Sequence, residues 1–190
     1  EAVRGQWMEA LAMGRSRLAL AHAEHGARGG RTFVDTRVGG QGSLTGTKSC
    51  VPAGAGVAGY IVSARESGAP TDASGVALYL VAADAPGLAL NPWRMADGSV
   101  AVSLTLDATP ALRLGGTLDD IAANEVLASL ARSAETLGIM ERLFEATLDY
   151  LRTREQFGVR LGSFQAIQHR MAAQYAVIEQ SRALLDLAIV

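Results

Sequence analysis

The sequence predicts an α+β chain, with an antiparallel β-barrel or sandwich domain followed by a long antiparallel helix pair from an incomplete helical bundle. Two observations carry this reading. From Leu18 to about Leu114 the chain reads as short β-prone runs separated by glycine, proline and small polar residues. From about Asp120 onward the apolar residues change to spacings of three, four and seven, the period of an amphipathic helix. An all-β stretch before an all-α one points to segregated layers rather than alternating β/α units.

The expected strands are Leu18 to His22, Thr32 to Val38, Val57 to Ala64, Val76 to Ala82 and Val100 to Leu106, and Ala83-Asp84-Ala85-Pro86-Gly87 is a turn signal. Thr117, three residues before Asp120, is placed to open the first helix. Along it Leu127, Leu130, Ala134, Leu137, Phe144, Leu148 and Leu151 form one stripe ending at about Arg152. A second helix is expected from about Phe164 to the end, with Ile167, Met171, Tyr175, Ile178 and Leu185 on one side and Ser163 placed to cap it. Gly158 to Gly162 would be a short turn, so the two helices should run antiparallel and share an apolar seam.

Composition excludes several classes of function. The net charge is −2, which gives no basis for nucleic-acid or membrane-surface binding. There is no transmembrane run and no signal-peptide pattern. A single cysteine excludes an internal disulfide and fits a cytoplasmic location. Cys50 itself reads as a small buried apolar group rather than a reactive thiol. His22 and His25 would point to opposite faces of a strand and lack a third ligand, so no metal site is assigned. His169 has no partnered nucleophile in a recognisable motif. Lys48 is the chain's one lysine among many arginines, a bias attributed to coding composition.

The stretch between the helices is the most informative. Arg154-Glu155-Gln156-Phe157-Gly158 is followed by Phe164-Gln165-Ala166-Ile167-Gln168-His169, joining an anion-binding side chain to an aromatic, a turn glycine and a new helix. Alone, Arg152 and Arg154 would be helix-end residues that complement the macrodipole. The whole string from Tyr150 to Ala172, however, resembles the signature of the acyl-CoA dehydrogenases at the start of their C-terminal helical domain. Ala21 to Ala27 resembles the first motif of that family's β-domain. Leu44 to Lys48, then Gly54 and the strand to Arg65, resemble the stretch where the flavin ring packs. Tyr79 to Leu88 resembles the family's strand and proline-glycine turn.

The resemblance implies residues 1–16 as the tail of a preceding helical domain, 17–116 as a middle β-domain, and 117–190 as the first two helices of the C-terminal domain. It implies FAD as cofactor, an acyl-CoA substrate, an electron-transfer partner and assembly as a dimer or tetramer with family subunits. Arg154 would reach the pyrophosphate of a flavin held mainly by a neighbouring subunit, through a forked, permanently charged donor set. Phe157 and Gln165 would hold the adenine end, with Gln156 beside them. A complete member is roughly twice this length, so the chain is expected to be a fragment, inactive alone and exposing apolar surface where further helices pack.

Departures from the family pattern sharpen this. Many members place a tryptophan and then a threonine against the flavin, where this chain has Cys50-Val51-Pro52; Ala23 likewise stands where a threonine is usual. Ring stacking and side-chain hydroxyls are therefore missing at those points, while backbone amides remain available. Arg28-Gly29-Gly30 replaces a small-residue and serine-aspartate pattern. The family's reaction needs a carboxylate base to remove an α-proton. None is assigned here: the usual base lies beyond Val190, and Leu127-Ala128-Ser129-Leu130 carries no carboxylate where some members place one. Glu125 and Glu135 flank that segment as surface or partner contacts. The resemblance thus implies a fragment of a FAD-dependent acyl-CoA dehydrogenase that introduces an α,β double bond. A flavin-poor, non-catalytic subunit of a heteromeric dehydrogenase is the alternative. An unrelated β-domain with a helical hairpin would leave the Arg154-to-His169 string as coincidence.

Overall fold

The computed structural model describes residues 2–190. It has the α+β order expected, in two compact units meeting between Ile121 and Ala122.

The first unit opens with helix α1 (Ala2–Ala12) and is otherwise built on eight strands: β1 (Leu18–Ala21), β2 (Arg37–Val38), β3 (Ser43–Pro52), β4 (Gly59–Arg65), β5 (Val76–Ala82), β6 (Leu88–Arg94), β7 (Val100–Pro110) and β8 (Leu112–Gly115). They form one sheet in the order β6-β7-β3-β2-β4-β5-β8, with β1 paired to β4 beside that path. Most pairings are antiparallel, but β1 and β2 each run parallel to β4, and the path stays open between β6 and β8. The sheet is therefore mixed and unclosed rather than a purely antiparallel barrel. Strand β4 has three neighbours, and six of its seven residues are buried, as a strand covered on both faces requires.

One core cluster includes Leu44, Val51, Tyr60, Val62, Val81 and Leu104. A smaller one joins Val34 and Val76 to Leu118 and Ile121, so the first turn of the long helix α2 (Leu118–Thr153) is seated in this unit. That helix starts where expected. The Thr117 amide donates to Asp120 Oδ2 at 2.7 Å and the Asp119 amide to Thr117 Oγ1 at 3.2 Å, a reciprocal cap.

In this unit three strands escape the sequence reading: β3, β6 and β8. Conversely, the expected strand from Thr32 to Val38 shrinks to Arg37–Val38. The reason is Arg65. Its buried guanidinium takes the carbonyls of Thr32 and Val34, along with those of Ser67, Pro70, Asp72 and Ser74, so residues 32–34 serve a side chain instead of a sheet. His22 lies just past β1, and His25 sits in a single 3₁₀ turn (His25–Ala27) rather than on a strand with it.

The second unit is a hairpin of α2 and α3 (Gln165–Ile189). Its seam repeats every seven residues: Leu130, Leu137, Phe144 and Leu151 on α2, and Phe164, Met171, Ile178 and Leu185 beside and along α3, are all at least partly buried. Phe144 and Tyr175 meet with ring centroids 5.9 Å apart. Within the seam Arg182 bridges to Glu141 at 2.6 Å and also to Glu179. Leu127, Leu143, Leu184 and Leu187 remain exposed. No helix among the described residues is long and apolar enough to cross a membrane.

Candidate functional site

Helix α2 does not pass into α3 through a simple turn at 158–162. Arg154 keeps a helical bond from its amide to Tyr150 O (2.8 Å), and its own carbonyl accepts the Leu161 amide (2.9 Å). Between these, β9 (Glu155–Gln156) and β10 (Val159–Arg160) pair antiparallel, with Gln156 opposite Val159 and Glu155 opposite Arg160. The two-residue loop is Phe157-Gly158, and both have positive φ, 56° and 79°. That is the type I′ pattern, which asparagine or aspartate followed by glycine satisfies best and a bulky aromatic worst.

Phe157 gains little in exchange for that conformation. Its side chain is 90% exposed, touching Phe164 edge-on. Arg154, Gln156 and Gln165 are also exposed, and among the described residues the Arg154 guanidinium has no hydrogen-bond or ion-pair partner. The neighbouring arginines differ, since Arg152 pairs with Asp149 and Arg160 with Glu155. One hairpin thus carries Arg154, Gln156 and Phe157, and Gln165 opens the helix that follows it. Ser163 does not cap α3: its hydroxyl donates back to Arg160 O at 2.7 Å. Phe164 occupies the cap position, and Gln168 reaches back to Gly162 O at 2.8 Å.

On the first unit an edge forms where the Ala23 loop meets β3 at Ser49, next to Cys50, and Pro52 lies two residues further along that strand. The Ser49 amide donates to Ala23 O at 2.8 Å, tying the loop after β1 to β3. Between Lys48, opposite Leu104, and Val51, opposite Val102, strand β3 carries one extra residue, a β-bulge. Cys50 lies in it with φ 50° and is exposed, contrary to its expected burial: the bulge turns the thiol away from the core. Ala23 and Pro52 are exposed as well.

Beneath this edge lies a polar cluster that sequence reasoning missed. Lys48, attributed above to coding bias, is fully buried, with Nζ 2.6 Å from Glu24 Oε1, 2.9 Å from Ser63 Oγ and 3.3 Å from His22 O. Glu24 also accepts the Asp35 amide (2.8 Å), the Thr36 amide (3.1 Å) and the Thr36 hydroxyl (2.7 Å). His22 Nδ1 lies 2.8 Å from Ser63 Oγ, and Nε2 lies 2.9 Å from Arg31 O. Burial pushes the Lys48 ammonium down to about 8, although Glu24 opposes the shift. Burial would raise the Glu24 carboxyl, but Lys48 and the Asp35 and Thr36 donors outweigh it and hold it below the ordinary range. The available signal was the chain's only lysine, set in a run of β-prone residues.

In the helical unit, Glu135 is paired with Arg132 at 2.6 Å on the exposed surface, and the Glu125 carbonyl accepts the Ser129 hydroxyl.

A family model described as "Acyl-CoA dehydrogenase, C-terminal domain" matches residues 127–189. The acyl-CoA dehydrogenase FadE27 of Mycobacterium tuberculosis is 38% identical over 149 residues, 76% of this chain and 38% of that protein. Among solved structures, a Tcur3481-Tcur3483 steroid ACAD variant aligns at TM-score 0.79 and 35% identity, covering all of this chain and 51% of that one. The ChsE4-ChsE5 complex from Mycobacterium tuberculosis aligns at TM-score 0.75 and 32% identity, covering 94% of this chain and 48% of that one. The chain therefore spans about half the length of these solved relatives and less of FadE27. These likenesses run through the open sheet as well as the helical hairpin, and the chain belongs to the acyl-CoA dehydrogenase family.

Proposed function

We propose that this chain serves the FAD-dependent α,β-dehydrogenation of an acyl-CoA thioester. The observation that carries the reading is Phe157, a bulky aromatic held at positive φ and left almost wholly exposed beside the unpartnered Arg154. Strain that folding offsets only in part supports reading the position as functional.

Two separate sets of residues suit a flavin, and the first would serve a flavin held mainly by a neighbouring subunit. Arg154 offers a diphosphate a permanently charged, bidentate donor set. Phe157 offers a planar face for the adenine end, with Gln165 and Gln156 supplying amide donors and acceptors. The edge formed by Ala23, Cys50 and Pro52 meets the flavin ring through backbone groups, since these side chains bring neither a hydroxyl nor a stacking ring. FAD, when bound, supplies the acceptor for the hydride leaving the β-carbon. No base for the α-proton is assigned to this chain. The proposed setting is a dimer or tetramer of family subunits in the cytoplasm, with an electron-transfer protein as its redox partner.

A second reading is a flavin-poor, non-catalytic subunit of a heteromeric dehydrogenase, still lending Arg154 and Phe157 across an interface. The same edge favours it, because Ala23, Cys50 and Pro52 are exposed where flavin-contacting side chains are missing. The test is to purify the product of the complete reading frame and record whether it carries flavin that bleaches on adding acyl-CoA. Arg154→Ala should then weaken flavin retention by about tenfold to a hundredfold, the equivalent of about 1.5 to 3 kcal/mol, with the fold intact. Unchanged retention would refute the pyrophosphate role. Absence of flavin under every condition would leave the second reading.

A further inference from the structure

We propose that Lys48 is a positioning residue whose ammonium locks the turn carrying Ala23 against the bulge carrying Ser49 and Cys50, so that the two exposed backbone segments form one fixed edge. What that edge binds rests on the dehydrogenase reading; the locking does not.

The geometry is specific. Ala23 sits between two residues that both contact Lys48: the His22 carbonyl accepts from Nζ at 3.3 Å, and Glu24 Oε1 lies 2.6 Å away. One ammonium therefore grips the residue on either side of Ala23. On the other strand, the bulge takes half-buried Ser49 and exposed Cys50 out of the regular β3–β7 register, so β7 constrains them least. Position there comes from Lys48, immediately before the bulge, and from the Ser49 amide bonded to Ala23 O at 2.8 Å. A third contact, to Ser63 Oγ at 2.9 Å, anchors the ammonium to the central strand β4. Glu24 extends the lock to the Asp35 and Thr36 amides.

Stability alone does not explain the arrangement. A buried ion pair is often matched or bettered by apolar residues of similar volume, so its distinctive contribution is geometric: it has one good arrangement, where a pair of methionines has many. His22, which also faces this cluster, fixes Ser63 in turn through Nδ1 at 2.8 Å.

The experiment compares the wild-type chain with Lys48→Met and with Glu24→Gln/Lys48→Met. Removing Lys48 alone strands a buried carboxylate, so the double variant carries the test should the single one not fold. Two quantities are read on folded protein: hydrogen exchange of the Ser49 amide, and flavin dissociation. The expected result is Ser49 exchange accelerated by about tenfold or more, with β4 and β5 amides unchanged, and flavin held about tenfold more weakly. A folded double variant with wild-type Ser49 exchange overturns the lock. Faster exchange with unaltered flavin affinity overturns its role in positioning the ligand edge. A wild-type protein that binds no flavin defeats the flavin-dependent reading and leaves the flavin-poor subunit, and the exchange measurement then decides the lock by itself.

Discussion

The rings of Phe157 and Phe164 lie 6.3 Å apart at 85°, edge to face across the small hairpin between α2 and α3. At about 0.5 to 1.5 kcal/mol, that contact offsets only part of the cost of holding a bulky residue in a left-handed turn, about 1 to 3 kcal/mol. Phe157→Asn would place Asn-Gly, the preferred pair, in the loop. The variant should melt at the same temperature as wild type or a few degrees higher, yet retain flavin less well. Thermal melting with flavin release on one sample checks both. A variant that loses stability and keeps its flavin would show that the aromatic serves the hairpin itself.

The start of α2 offers a second measurement. Asp120 accepts the Thr117 amide and Thr117 the Asp119 amide, and the turn they fix carries Leu118 and Ile121 into the small core with Val34 and Val76. Thr117→Ala should cost about 1 kcal/mol, and Asp120→Ala a similar amount. Since they complete one motif, the double variant should cost less than the sum. Urea unfolding of the four proteins gives the coupling; strict additivity would mean the two caps act separately.

What could be read from the sequence, and what could not, follows from where each signal comes from. The helix pair was legible because its seam is apolar at strict spacings and its opening cap is local. Strand β3 was not, because its pattern is broken by Gly46 and by a cation on its buried side: Lys48 looks like a surface residue until Glu24, 24 positions earlier, is brought beside it. Likewise β6 carries Pro92 and is almost wholly exposed, so it lacks the alternation that marks a strand. In the candidate site, the string from Arg154 to Gln165 was visible as a motif. The turn within it, expected over 158–162, falls at 157–158, because phenylalanine is not a turn residue on any local rule. Cys50 was expected inside because cysteine prefers burial; a bulge, which depends on the partner strand, turned it outward.

Arg65 gives the largest expected loss. Its buried guanidinium donates to six backbone carbonyls, four of them at 3.0 Å or less. Arg65→Met would leave those of Val34, Pro70, Asp72 and Ser74 without their donors, at about 1 to 3 kcal/mol for each one that stays dry. The unit should therefore lose on the order of 3 kcal/mol or more. Arg65→Lys keeps the charge but has only three donors on one nitrogen, so it should fall between wild type and methionine. Guanidinium unfolding monitored by circular dichroism ranks the three; a lysine variant equal to wild type would show that charge, not the fork, holds the loops.

Glu66 sets a test of pH dependence. Arg113 Nε donates to its Oε1 at 2.6 Å and Nη2 to Oε2 at 3.2 Å, and Tyr79 donates its hydroxyl to Oε1 at 2.6 Å. The Arg113 bonds first, then the tyrosine, hold the Glu66 carboxyl at about 2. A carboxyl whose pKa is lower folded than unfolded stabilises the folded state above its unfolded value, about 4.3. That contribution fades as pH falls from there toward about 2, where the folded form also takes up its proton. Because Glu66 and Arg113 are partly exposed, solvent screens the pair and the effect should be modest. Glu66→Gln removes the titrating group while preserving an acceptor for Tyr79. Wild type should therefore lose more urea stability than Glu66→Gln between pH 5 and pH 2.5, and the gap should narrow in molar salt. Parallel acid profiles for the two proteins would show that the Glu66–Arg113 contact contributes no measurable stability.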